Sequence, residues 1–252
     1  PIDIVLILDK SESMNEITNG TRKIDDLKSA AVNFVDMIDM QDRIALVIFS
    51  THANDTVRGL PHPLTFNKTS VKNKILDISP EGGTFIGYAI GNATFELINH
   101  SRNAKKVGVL ITDGRDNSQF IPSQYVDPYS WPLVRAAEAA VYGIAIYTIG
   151  LGSNVNETML MQIADLTGGR YYFAAIGPQL QAIFAEIGEQ LSINWVKTGN
   201  TTIGNFGPYC SSPNVCVIFN NTVYPDSALY QNVKLVFPGS YNVEASVSAL
   251  TN

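Results

Sequence analysis

The chain reads as an α/β protein: a doubly wound, mostly parallel sheet with helices on both faces, followed by a small all-β segment. Three observations carry that expectation. Four apolar runs, at residues 2–8, 43–50, 106–112 and 144–151, are continuous rather than alternating, as strands buried on both faces are. Helical stripes lie between them, and buried strands alternating with helices imply right-handed crossovers in a parallel sheet. Near Ile193 the composition shifts to Thr, Val, Asn, Tyr and Gly, and the helical stripes cease.

Each element follows from its own pattern. After the strand at 2–8, Leu27, Ala31, Phe34, Val35 and Ile38 recur at helical spacing, and residues 43–50 supply a second buried strand. Residues 55–60 are shorter and more polar, and Pro61 and Pro63 stop them, which predicts a strand at the sheet edge. Val71, Ile75 and Ile78 mark one helix; Ile86, Ala89, Ile90, Ala93 and Leu97 mark another, just past a Gly-Gly-Thr turn. The strand at 106–112 ends in Asp113-Gly114, and residues 133–142 form an Ala-rich helix that Gly143 terminates. A strand at 144–151, a helix at 157–166 closed by Gly168-Gly169, a strand at 170–174 and an amphipathic helix at 180–191 complete a first unit, residues 1–192.

Residues 193–252 are expected to form a small β-rich domain or a segment that joins neighbouring subunits. Residues 215–219, 232–237 and 241–249 read as strands, the last alternating through Val243, Ala245, Val247 and Ala249. Strands this few and short either lean on the first unit or need strands from another chain. Cys210 and Cys216 lack the second pair that a structural zinc site requires. They could close a short loop as a disulfide, adding about 2–3 kcal/mol in the loop-entropy model, or remain free thiols.

Composition excludes several functions. Of the 252 residues 45% are hydrophobic and 16% charged, which supports a sizeable core and argues against disorder. The net charge of −6 offers no basic surplus for nucleic acid or anionic lipid. No apolar run approaches the roughly 18 residues of a membrane helix, and no secretory signal is present. The chain enters a hydrophobic strand directly after Pro1, which suggests a processed or trimmed protein. No catalytic arrangement emerges: His52, His62 and His100 fall in or beside loops, and there is no Gly-Lys-Ser/Thr phosphate loop.

Asn-x-Ser/Thr triplets occur at Asn19, Asn54, Asn67, Asn92, Asn99, Asn156, Asn200 and Asn220. With 21 Asn and 35 Ser or Thr in the chain, chance supplies about three, so the eight present point towards an extracellular glycoprotein. Asn-rich polar turns account for some of them.

Small oxygen donors gather where strands end. Asp9-Lys10-Ser11-Glu12-Ser13 follows the first strand, Thr84 follows Gly82-Gly83, and Asp113-Gly114 follows the third buried strand. Two carboxylates and three hydroxyls, with no imidazole or thiolate, suit a hard cation: Mg²⁺, or alternatively Mn²⁺ or Ca²⁺.

Those five positions, with Thr148-Ile-Gly-Leu-Gly152 and Ala164-Asp-Leu-Thr-Gly-Gly169 further on, resemble a von Willebrand factor A domain with an intact metal-ion-dependent adhesion site over residues 2–192. The resemblance implies that Ser11 and Ser13 bind the ion directly and Thr84 does so when a partner is engaged. It implies that Asp9 and Asp113 act mostly through water or hydrogen bonds. Neutral hydroxyls quench the ion's charge poorly, so an Asp or Glu carboxylate from a protein or glycan partner can fill the open position. Glu12 departs from the family pattern, which usually has a small residue there. It either blunts the pull on acidic ligands or points to solvent.

Loops on the same rim would set specificity. The loop after Asp113 carries Asp116, which could assist the site or shape the turn. Phe120, Tyr125, Tyr129 and Trp131 follow among prolines, placed either as anchors for a partner or as local packing. The expected function is an extracellular adhesion module, with a surface filament as one setting for it. The alternative is a structural subunit of a pilus, sheath or surface array with a mainly structural metal site; an intracellular partner of an ATPase is the third reading.

Overall fold

A computed structural model describes residues 1–51, 62–114 and 130–191 with their side chains, and the backbone of 209–212, 215–222 and 230–235. The chain divides into two compact units, Pro1–Ser192 and Ile193–Asn252.

The first unit is a six-stranded sheet. Strands β1 (Ile2–Asp9), β4 (Arg43–Phe49), β6 (Lys105–Thr112), β7 (Ile144–Leu151) and β8 (Tyr171–Ala174) run parallel, and β5 (His62–Thr65) pairs antiparallel at one edge, in the order β5-β4-β1-β6-β7-β8. β1 is central. It is in register with β4 from Asp3↔Arg43 to Asp9↔Phe49 and with β6 from Ile2↔Lys105 to Leu8↔Ile111.

The continuous apolar runs resolve into two alternating sets, because successive side chains in a strand face opposite ways. Ile4, Leu6 and Leu8 of β1 enter one core, with Leu27 and Phe34 of α1 (Lys23–Met37), Val71 and Ile75 of α2 (Lys68–Leu76) and Phe184 of α6 (Pro178–Leu191). Val5 and Ile7 enter the other, with Ile86 and Ile90 of α3 (Ile86–His100), Ala136 of α4 (Ser130–Val141) and Leu160 of α5 (Glu157–Thr167). Burying a side chain of this size contributes about 1.5–3 kcal/mol, so both faces of β1 drive its central position.

The edge strand described is His62–Thr65, which contains Pro63, a residue the sequence reading places beyond a strand end. An edge strand tolerates proline because one side of its backbone has no ladder partner. Residues 52–61, including the expected strand, lie outside the described residues.

Two helix starts have a local cause that doubles as a sequon. Asn67 and Asn156 cap α2 and α5, their side chains accepting from Ser70 N at 3.1 Å and Met159 N at 3.2 Å. In the second unit β9 (Tyr209–Ser212), β10 (Val215–Thr222) and β11 (Tyr230–Leu235) form an antiparallel sheet in the order β11-β10-β9, whose register sets Cys216 opposite Cys210. Residues 241–249, read as a strand from sequence, lie outside the described residues.

Candidate metal centre

The sheet changes direction at β1: the chain leaves through α1 to β4 on one side and later enters β6 on the other. Ligands of open parallel sheets collect at such a switch, beyond the carboxyl ends of the strands. Asp9 closes β1 and Asp113 follows β6, both fully buried.

Local bonds shape the loop between them. Asp9 Oδ1 accepts from Ser11 N at 2.7 Å, and its Oδ2 accepts from Thr112 Oγ1 at 2.5 Å, so one carboxylate fixes both strand ends. A 3₁₀ turn, Glu12–Asn15, then brings Ser13 back. Ser11 Oγ and Ser13 Oγ stand 3.0 Å apart, and Ser13 Oγ donates to Asp113 Oδ1 at 2.7 Å. Glu12 N donates to Gly82 O at 2.9 Å and Glu81 N to Lys10 O at 2.7 Å, which ties the Thr84 loop alongside. Buried Thr84 completes the group: a Cβ on Gly114 would stand 3.0 Å from its Oγ1. The structure therefore brings Asp9, Ser11, Ser13, Thr84 and Asp113 to one pole of the sheet.

The electrostatics of that pole are strained. Burial pushes the Asp9 carboxyl up to about 7 against the hydrogen bonds from Thr112 and Ser11, and the charge of Asp113 adds to the push. A nearby cation would relieve both carboxylates.

One such cation belongs to the chain and was not singled out from sequence. Lys23, the first residue of α1, donates from Nζ to Asp113 Oδ2 at 2.7 Å and to Glu16 Oε2 at 2.5 Å, with its side chain only 4% exposed. Burial alone would lower its pKa; the hydrogen bonds to Asp113 and Glu16 outweigh that and raise it, so Lys23 is charged. Gly152, at φ 77° beyond β7, lies 3.6 Å from Lys23 Cε when given a Cβ and walls the ammonium in. Between Glu16 and Lys23 runs a hairpin of β2 (Ile17–Thr18) and β3 (Thr21–Arg22), turned by Asn19-Gly20 at positive φ and presenting Ile17 to solvent.

The donors fit a small divalent ion. A metal–oxygen bond of about 2.0–2.1 Å puts neighbouring octahedral ligands roughly 2.9 Å apart, close to the Ser11–Ser13 spacing of 3.0 Å. Three of the five donors are hydroxyls, those of Ser11, Ser13 and Thr84, and among the described residues no group of three or more His, Cys, Asp or Glu is placed to hold a metal.

Of the two readings of Trp131, anchor or local packing, the structure shows the second: at 8% exposure it packs in the α3–α4 layer, because Gly87 lets the indole approach where a Cβ would stand 2.2 Å from Cδ1. Tyr88 meets it edge-on at 6.0 Å and Arg135 lies over the ring at 5.3 Å. Glu12 is exposed, and its carboxylate accepts from Asn15 Nδ2 at 3.4 Å. Asp116, Phe120, Tyr125 and Tyr129 lie outside the described residues, as do Asn54, Asn200 and the side chains of Asn220, Cys210 and Cys216. Asn19 and Asn99 are exposed and Asn92 half-buried. His62 Nε2 sits 2.6 Å from Ser70 Oγ and its Nδ1 3.1 Å from the Pro63 carbonyl oxygen, a pair that lies on β5 and α2, outside the oxygen cluster.

A family model described as von Willebrand factor type A domain matches residues 3–186. Matrilin-3 of Gallus gallus is 28% identical over 186 residues, which cover 70% of this chain and 37% of that protein; the chain thus spans little more than a third of that relative. The vWF domain of the type V pili tip protein Mfa5 from Porphyromonas gingivalis has a TM-score of 0.62 at 16% identity, over 80% of this chain and 98% of that one. The proximal thread matrix protein 1 from the mussel byssus, in a structure with a zinc-occupied MIDAS motif, has a TM-score of 0.58 at 21% identity, over 75% of this chain and 45% of that one. At these identities the two solved structures share the fold.

Proposed function

The chain belongs to the von Willebrand factor type A domain family, and from that premise we propose that it is an extracellular adhesion module. Ser11, Ser13 and Thr84 would bind a divalent ion, with Asp9 and Asp113 holding it through water or hydrogen bonds. The ion would keep a position for a carboxylate from a protein or glycan partner. The observation that carries this reading is the oxygen chain Ser11 Oγ–Ser13 Oγ–Asp113 Oδ1, at 3.0 and 2.7 Å. The all-oxygen donor set supports Mg²⁺, or alternatively Mn²⁺ or Ca²⁺.

Similarity to a pili tip protein and to a matrilin supports a place at the cell surface or on a surface filament. Among the described residues no helix is long and apolar enough to cross a membrane. The excess of sequons supports a glycoprotein, and the Cys216↔Cys210 register supports a disulfide across β9 and β10. Residues 193–252 would serve as a small domain or as the link to neighbouring subunits. The role is non-enzymatic.

Titration calorimetry with Mg²⁺, Mn²⁺ and Ca²⁺ tests the site, and arrays of proteins and acidic glycans read with Mg²⁺ or EDTA test the partner. Uptake of one ion per chain and array binding that EDTA and Ser13→Ala both abolish are expected. No uptake of any of the three ions would overturn the proposal. Ser13→Ala is preferred to Asp113→Ala, which would also strand the Lys23 ammonium.

A further inference from the structure

We propose that Lys23 is a resident counter-cation of the metal centre, weakening the grip on the metal ion while strengthening the loaded site's pull on an acidic guest. This inference rests on the metal reading above and concerns how that site is tuned.

The argument is one of charge and placement. Asp113 divides its two oxygens: Oδ1 accepts from Ser13 on the donor side, and Oδ2 accepts from Lys23 on the far side, at 2.7 Å in each case. Lys23 therefore fixes which oxygen Asp113 offers to the donor cluster. It also cancels one of the two buried carboxylate charges. Without Lys23, a divalent ion between Asp9 and Asp113 would be neutralised and would attract an anion only weakly. With it, the loaded centre keeps one surplus positive charge in a desolvated setting, where charges act strongly. The same surplus opposes the incoming ion.

The tuning reaches the rim. Glu16 takes the second hydrogen bond from Lys23 Nζ, and Lys23 N donates to Glu16 O at 3.0 Å, so the pair closes the base of the Ile17–Arg22 hairpin. The Glu16 side chain is 58% exposed and offsets Lys23 only in part.

The prediction is a pair of shifts of opposite sign. Mn²⁺ titrations of the whole chain, with Lys23→Met and Glu16→Gln, should show binding about tenfold tighter in Lys23→Met, from loss of one positive charge near the ion. Binding should be about twofold weaker in Glu16→Gln, which removes a screened negative charge. A lysine that only supports the fold would not move the two variants apart. Should Lys23→Met fail to fold, the Glu16→Gln shift decides alone. Unchanged or reversed affinities beside normal wild-type uptake would overturn the counter-cation while leaving the metal centre standing. Uptake by Lys23→Met but not by wild type would support it. No uptake by any of the three proteins would overturn the metal reading and this inference together.

Discussion

Lys23 Nζ and Asp113 Oδ2 meet at 2.7 Å across 90 residues of sequence, with both side chains sealed from solvent. Removing one member of a buried ion pair leaves the other uncompensated, a loss of about 3–5 kcal/mol. Asp113→Ala should therefore destabilise the unit by that order in urea unfolding. The double variant Lys23→Met/Asp113→Asn should recover much of the loss, because neither partner is then left as a bare charge.

Acid stability should depend on Asp3, at the opposite pole. Burial alone would raise its pKa, but hydrogen bonds from Arg43, Ser101 and the Arg102 backbone outweigh burial and hold it below its ordinary value of 3.8. A carboxyl with a depressed folded pKa stabilises fully above its unfolded value and loses that contribution as pH falls through the folded one. Thermal melts should fall steeply below about pH 4, and Asp3→Asn should flatten that limb while lowering the melting temperature near neutrality.

Gly87→Ala should dislodge Trp131. The added Cβ would stand 2.2 Å from the indole, whose rigid ring has no flexible end to yield. Overpacking of this kind costs about 1–3 kcal/mol. The Trp131 emission, isolated against a Trp131→Phe control, should shift to the red as the ring gains water.

Asn156 separates capping from glycosylation. Asn156→Ala should cost about 1 kcal/mol in chemical unfolding, since it removes the acceptor for Met159 N. Asn156→Asp keeps that acceptor while abolishing the sequon, so its stability should match the parent in protein made without glycans. Intact mass of the protein secreted from a glycosylating host reads occupancy separately.

The two-core sheet was largely legible because buried parallel strands leave continuous apolar runs; residues 144–151 appear as read. The gathering of Asp9, Ser11, Ser13, Thr84 and Asp113 at one pole was legible for a different reason: these residues follow strand ends or a Gly pair. Lys23 was missed because lysine is ordinarily a solvent residue. Yet it lies four positions before Leu27, in line with the buried stripe of α1, and that spacing was the available signal. Sequence left Trp131 between anchor and local packing because the prolines and aromatics around it read as a loop, whereas α4 already begins at Ser130. The strand at His62–Thr65 was not legible because Pro63 reads as a stop, whereas an edge strand with one unpaired side tolerates a proline.

The central place of β1 also bears on mechanics. Its ladders to β4 and β6 lie side by side and share one direction, so tension applied along β1 from its first residues loads both in shear. The rungs cannot peel open singly as they would at a hairpin end; they must slide together. A central strand held on both sides in this way resists extraction along its own axis.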